Sequence, residues 1–558
     1  MRFRPARGVA ATRCVGAGPT SVARRSTKGE GGRPAGSGFA PGLPGEFTPA
    51  PIFPAGGAKT RRTPLRAGSG LFGQALRATL PCAARPASNP ARSALECGSP
   101  LPLSKSIGDY DAPPIAYTAA MTPSYRVALR DYLRDRSDAM AKTLAALVRI
   151  PTVNPYSGDP GPAGEAAGQR FLAARFRGLG GRVRWIPVPS DIYARCRVRG
   201  PRCRSWSGRR NLVVSFDYGP GPSVVLNAHM DTVGVRDFEG DPFSGRRAGG
   251  RIQGRGASDC KGGLVAGLYA LEALRALRVP LRGRIVFESV VDEECNGSGA
   301  GTLACCAAGI RGRYAIALDG PCGLLYTGCQ GVATVEISVR GRAGHGSAGG
   351  VSALEKLLLV KTALDRFAGE RARVQPGHAV NIGLLRAGVA PWTVPNFGAL
   401  TANINYARSE TAAGARAPGV AVRRQLDEII ARLAGEDAWL RQHPPRVDWI
   451  KDLSGFDRTD AAAPADGDRL IACAEGAMRV AHRAGFRSGT LDAWGDAAHL
   501  ARSGRMAVVG MGAGEPGASH TASEFNRVAN VRRTALAAAL TLVALLGASS
   551  APAGPKAG

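Results

Sequence analysis

The sequence predicts an α/β protein built on a mixed sheet with helices on both faces, interrupted by a small inserted α+β unit. Three observations carry this. From 164 to 318, helical periods alternate with short apolar runs; near 332 the pattern turns to strict alternation; from 456 to 550, helix and strand signals return. Alternating helices and buried strands place helices on both faces of one sheet.

The elements follow in order. After Met121, Leu129, Leu133, Met140, Leu144 and Leu147 recur at helical spacing. A helix over 164–178 precedes the strand RVRWIPV (182–188), and NLVVSF (211–216) and SVVLNAH (223–229) have the continuous apolar character of buried strands. A helix over 261–277, the strand RIVFESVV (284–291), a helix over 299–308 and the strand YAIAL (314–318) complete the first section. VATVEISVRG then alternates, followed by a helix over 352–368, two strand-like runs, a helix over 419–434 and RVDWI (446–450). That βαββαβ order predicts a ferredoxin-like unit. The run TALAAALTLVALLGA (534–548) is shorter than the roughly twenty apolar residues that span a bilayer, so a buried C-terminal helix is expected and no membrane partner. The expected divisions are a leader (1–120), a first catalytic part (121–332), the insert (333–455), a second catalytic part (456–550) and a tail (551–558).

The chain has 558 residues and a formal charge of +30. Residues 1–120 hold 16 Lys and Arg against 5 Asp and Glu, and are rich in Pro, Gly and Ala without a hydrophobic period. Such a stretch buries too little apolar surface to offset its ordering entropy. Met121 is therefore the expected true start, with 1–120 expected to be a disordered leader from translated upstream sequence and not part of the native protein. The remaining positive charge is scattered arginine without a nucleic-acid motif, so no nucleic-acid partner is expected. The 12 cysteines include no CxxC pair, and free thiols in a reducing cytoplasm are expected.

Five segments bring metal-ligand side chains to strand ends or adjoining loops: His229 and Asp231 in LNAHMDTV, Asp259 in GRGASDCKGG, Asp292, Glu293 and Glu294 in VVDEECNGSG, Asp319 in AIALDGP, and His520 in GASHTASEF. Singly each has an ordinary reading: a structural His–Asp pair sharing one strand face, a helix cap, a loop histidine. Three consecutive carboxylates at a buried strand end, however, are costly unless a cation offsets them. Ligands of open α/β sheets collect at the carboxyl ends of strands, and mixed nitrogen and oxygen donors suit zinc, with cobalt or manganese as alternatives.

Taken in order, HMDTV, GRGASDCKGG, DEECNGSG, LDGP, GRAGHGS and GASHTASEF closely resemble the dinuclear zinc exopeptidases and deacylases. That family includes acetylornithine deacetylase, succinyl-diaminopimelate desuccinylase, aminoacylase and glutamate carboxypeptidase. The resemblance spans about 121–550 and implies a zinc-exopeptidase-like fold whose insert is a lid and dimerisation domain. It implies two Zn2+ per chain, with His229, Glu294, Asp319 and His520 as terminal ligands and Asp259 bridging. Asp231 would hold the other nitrogen of His229, and Glu293 would be the general base. His345 would supply an oxyanion donor, across a homodimer interface formed by the insert. The implied activity is hydrolysis of an N-acyl amino acid or small peptide. Alternatives are a di- or carboxypeptidase of the same family, or a catalytically inert binding homologue.

Two positions depart from the pattern. Trp392 stands where relatives often carry Asn, and Asn405 where many carry the arginine that binds a substrate carboxylate. Arg408 is a candidate replacement, although strand alternation would turn it to the other face. His499, near Asp496, reads as structural, Cys260 as a packed small residue, and His378, His443 and His482 have no assigned role.

Overall fold

The computed structural model describes residues 123–159, 164–374, 380–411, 418–460, 463–483 and 485–547. The leader, Met121, His378 and the tail lie outside the described residues. The main sheet has eight strands, in the order Arg182–Pro187, Arg210–Asp217, Arg284–Val290, Ser223–His229, Tyr314–Ala317, Ala507–Gly510, Leu324–Cys329 and Arg487–Leu491. The central four, from Arg284–Val290 to Ala507–Gly510, are mutually parallel. The first two are added antiparallel.

Side-chain alternation divides the apolar runs between two cores. Val224, Leu226 and Ala228 enter one core while Val225 enters the other; Ile285 and Phe287 oppose Val286 in the same way. Ser137–Val148, Ala166–Gly178, Gly262–Ala276, Pro464–His482 and Val528–Leu546 fill the first face. Ala300–Ala307 and Ala497–Arg502 fill the second. A turn at Arg136 separates Pro123–Asp135 from Ser137–Val148, yet Leu129, Leu133, Met140, Leu144 and Leu147 all remain buried. The apolar C-terminal run packs inside the protein as the helix Val528–Leu546.

The insert has the strand order Val380–Ala387, Phe397–Tyr406, Gly331–Arg340, Arg446–Leu453, all antiparallel. The helices Ala353–Val374 and Val420–Glu436 cover one face. This is the ferredoxin-like arrangement. The first helix runs beyond 368 because its last turn is anchored: buried Arg371 forks Glu410 with two 2.9 Å hydrogen bonds and donates to the Asn405 carbonyl at 3.0 Å. Leu324–Cys329 is a strand that the sequence pattern did not mark; it pairs antiparallel with Ala507–Gly510. The N–H of Cys329 donates to the carbonyl of Phe456 at 3.0 Å, so the chain leaves and re-enters the main sheet at adjacent points.

Leu540 is fully buried in the first core. Leu540→Ala is expected to lower the unfolding free energy by about 2–5 kcal/mol through lost burial and a cavity. Urea denaturation measures this, and a loss below about 1 kcal/mol would show that the helix is not packed as described.

Candidate metal centre

Because the central strands are parallel, their carboxyl ends share one edge, and the chain uses that edge for its ligand-type side chains. His229 ends Ser223–His229, Asp292–Glu294 follow Arg284–Val290, Asp319 follows Tyr314–Ala317, and His520 lies in the loop after Ala507–Gly510. Asp259 comes from the turn before Gly262–Ala276.

These residues meet as two groups that share Asp259. His229, Asp259, Cys260 and Asp319 form one, and Asp259, Glu294 and His520 the other; within each, the ligand atoms lie within 4.8 Å of one another. His229 Nε2 is 3.0 Å from Asp259 Oδ1 and 4.0 Å from Asp319 Oδ1. His520 Nε2 is 3.0 Å from Glu294 Oε1 and 3.4 Å from Asp259 Oδ2. The two oxygens of Asp259 therefore face different imidazoles. His229 Nδ1 lies 2.9 Å from the Asp231 carbonyl oxygen, which can only accept, so Nδ1 carries a proton and Nε2 is the nitrogen turned toward Asp259.

The donor set fits divalent cations. Asp259, Glu294 and Asp319 pair with no lysine or arginine among the described residues. Burial and the neighbouring Asp259 charge push Asp319 up to about 6. Converging carboxylates backed by oriented imidazoles are the environment a metal ion neutralises. Glu293 differs from its neighbours. Its side chain accepts no hydrogen bond and joins no ion pair among the described residues, and burial, chiefly, holds its carboxyl well above the ordinary range.

Several supporting residues carry no signal in the sequence reading. Asp292 is not on the metal side: Arg204 Nη1 (2.6 Å) and Arg209 Nη1 (3.0 Å) both bind its Oδ1. Arg209 also donates through Nε to both oxygens of buried Glu165, at 3.0 and 3.1 Å. The run of three acids is thus offset partly by guanidinium groups. Glu524 fixes the Asp259 turn, accepting from the Ser258 and Asp259 N–H groups at 2.8 and 3.1 Å and from Arg255 at 2.8 Å. Its position four residues after His520, within the same loop, was the available clue.

The structure refines the readings of Asp231 and Arg408 and places Asn405 and His345. Asp231 lies beyond the strand end rather than on one strand face with His229. It is the Asp231 main-chain carbonyl that holds His229; the carboxylate is 3.8 Å away. That carboxylate is taken by Asn154 Nδ2 at 2.7 Å and by the N–H groups of Glu293 and Glu294 at 3.3 and 3.1 Å. Arg408 sits in the 3-10 turn after the strand, not on it, and is committed to Asp460 at 3.1 and 3.2 Å. Asn405 lies opposite Val332 on the insert sheet. His345 is exposed on a short ribbon with Thr393, with Nδ1 2.7 Å from Ser347 Oγ, and makes no hydrogen bond or ion pair with the metal-site residues. His499 fits its structural reading: its Nε2 is 2.7 Å from the Ser298 carbonyl.

Comparison with known proteins agrees with this architecture. Residues 225–544 match the model of peptidase family M20/M25/M40. The chain is 27% identical over 350 residues to N-formyl-4-amino-5-aminomethyl-2-methylpyrimidine deformylase of Halalkalibacterium halodurans, covering 58% of this chain and 75% of the relative. It is 27% identical over 290 residues to carboxypeptidase G2 of Pseudomonas sp., covering 50% and 62%. The di-peptidase Dug1p of Saccharomyces cerevisiae shares the fold, with a TM-score of 0.60 at 14% identity over 77% of this chain and 99% of the other. Human carnosine dipeptidase 1 gives a TM-score of 0.56 at 17% identity, over 75% and 99%. With its parallel strand ends, shared aspartate and ferredoxin-like insert, the chain belongs to peptidase family M20/M25/M40 and is an amidohydrolase of the metallopeptidase and deacylase type.

Proposed function

We propose that the protein hydrolyses the amide of a small N-acyl substrate, using two divalent metal ions and Glu293 as general base. The observation that carries this reading is the pair of donor groups sharing Asp259, with the unpaired Glu293 carboxyl one residue from Glu294. His229 and Asp319 would hold one ion and His520 and Glu294 the other, with Asp259 available to both. Zinc suits these donors, and cobalt and manganese are alternatives. When bound, such ions supply Lewis acidity and lower the pKa of the attacking water. Glu293 takes the water proton and delivers it to the leaving nitrogen. The hydrogen bond from His229 Nδ1 to the Asp231 carbonyl keeps Nε2 aimed at the donor group, and Glu524 holds the shared aspartate in place.

The substrate side favours deacylation. With Asn405 in place of arginine and Arg408 engaged by Asp460, neither position offers a free guanidinium fork to a substrate carboxylate. A relative named as a pyrimidine deformylase supports an acyl amide substrate. The similarity to carboxypeptidase G2 supports peptide cleavage as the second reading. Hydrolysis of N-formyl and N-acyl amines, N-acyl amino acids and dipeptides by zinc- and cobalt-loaded protein separates them. Cleavage of acyl amides in preference to dipeptides is expected. Dipeptide cleavage alone would replace deacylase with peptidase, and no cleavage of any amide would leave a binding homologue.

Glu293→Gln is expected to lower kcat by about a hundredfold or more, the usual contribution of a placed base, with metal content unchanged. His229→Ala and His520→Ala are expected to lower metal occupancy itself, read by elemental analysis. Near-native turnover in Glu293→Gln would remove it from the role of base.

The insert supports a homodimer in which His345 reaches the partner's site. Its edge strand Val380–Ala387 exposes Leu384 and Leu385, and the helix Ala353–Val374 exposes Leu354, Leu358 and Leu359. An uncovered apolar edge strand invites pairing with another chain. Mixing inactive His345→Ala with inactive Glu293→Gln is expected to restore partial activity, because one site of each hybrid receives both intact groups. No recovery after confirmed subunit exchange would place His345 in its own chain's site.

A further inference from the structure

The segment that carries Glu293 has an unusual backbone. Asp292, Cys295 and Asn296 all have positive φ, as does Gly299, and a Cβ on Gly297 would lie 2.2 Å from the Asp292 carbonyl oxygen. Non-glycine residues in that region are costly and persist only where surrounding contacts over-determine them. Those contacts are the side chains that satisfy the segment's carbonyl groups. Asn154 Nδ2 donates to the Glu294 oxygen at 3.2 Å, Arg204 Nη2 to that of Cys295 at 2.7 Å, and His499 Nε2 lies 2.7 Å from that of Ser298. Lys451 Nζ donates to the Gly297 oxygen at 3.1 Å.

Lys451 is the only one of these four donors that the insert provides. It lies on the strand Arg446–Leu453 just past a bulge, where Trp449 pairs with Val335 and Lys451 with Thr334, leaving Ile450 as the extra residue. A bulge re-aims the side chains beside it. Thr334, the cross-strand neighbour of Lys451, reaches the same segment, with Oγ1 3.3 Å from Asn296 Oδ1. The ammonium is buried, and no described carboxylate lies within ion-pair distance of it. Burial lowers its pKa to about 8, against the opposing pull of Glu293, Asp292 and Glu294. A lone buried ammonium is expensive, and its one hydrogen bond among the described residues is to this segment.

We propose that Lys451 is a positioning residue through which the seated insert holds the 292–299 segment, and with it Glu293, in working shape. The inference rests on the reading of Glu293 as base; the hold on the segment is independent of it. Removing the ammonium leaves the Gly297 carbonyl without its charged donor and frees a strained backbone to relax. The main loss should then fall on turnover rather than on substrate binding.

The test compares full-length, zinc-loaded Lys451→Met and Lys451→Arg with the wild type, by kinetics and by hydrogen exchange of peptides covering 292–299. In Lys451→Met, kcat is expected to fall about ten- to a hundredfold with KM changed less than about twofold, the rate equivalent of losing one hydrogen bond to a charged group. Exchange is expected to rise about tenfold in that segment. Lys451→Arg, which keeps a cationic donor, should recover most of both. Unchanged exchange in Lys451→Met overturns the proposal, as does a rise in KM with kcat intact. If Lys451→Met does not fold, wild-type exchange protection and kcat in Lys451→Arg support the positioning role, and loss of both there rejects it. If the wild type cleaves no amide, the reading of Glu293 fails, while the exchange result still decides whether Lys451 holds the segment.

Discussion

Asp259 presents one carboxylate oxygen to each of two imidazoles, and that arrangement depends on how its backbone is held. The Glu524 carboxylate accepts two successive N–H groups, from Ser258 and Asp259, while Arg255 balances its charge. The turn has no helical ladder of its own at that point, so a buried acceptor from a distant part of the chain satisfies it. Both donor groups take their spacing from this one pinned residue. The parallel strands deliver His229 and Asp319 to one side of it, and the loops deliver Glu294 and His520 to the other.

Charge in this region is sorted by distance from that centre. Close to it, among the described residues, Asp259, Glu294 and Asp319 have imidazoles as their only cationic partners. Immediately behind, Asp292 and Glu165 are closed off by Arg204 and Arg209. A guanidinium buried beside a carboxylate removes that carboxylate from competition for a metal and stiffens the strand end that carries it. The sequence presents Asp292, Glu293 and Glu294 as one acidic run, yet the fold gives the three side chains three different surroundings.

What was legible in the sequence was local or periodic. The split of Val224, Leu226 and Ala228 from Val225 is the period-two rule of a strand covered on both faces, and the ligand residues stand where apolar runs stop. The insert's strand order followed from its alternation and from the order of its elements. The supporting contacts were not legible, because they join residues far apart in sequence whose types are common. Arg209 and Asp292 are 83 positions apart, and Arg255 and Glu524 are 269 apart. Arginine is abundant throughout this chain, so nothing in its type marks Arg204 or Arg209 as buried. The Asp231 reading stayed coarse for a related reason: the pattern gives the spacing of His229 and Asp231, but not which oxygen of Asp231 turns back toward the ring.

The hydrogen bond between Cys329 and Phe456 has a meaning beyond the sheet that it closes. The chain leaves the eight-stranded scaffold and returns to it at neighbouring points, so more than a hundred residues hang from what is topologically a single turn. Closing so long an excursion costs little more entropy than closing a moderate one, because that cost grows only with the logarithm of loop length. Such an attachment behaves as a cassette. A lineage can lengthen or shorten the appended module without re-registering any strand beneath it, as long as the contacts it makes with the site, such as that of Lys451 with the Gly297 carbonyl, are kept.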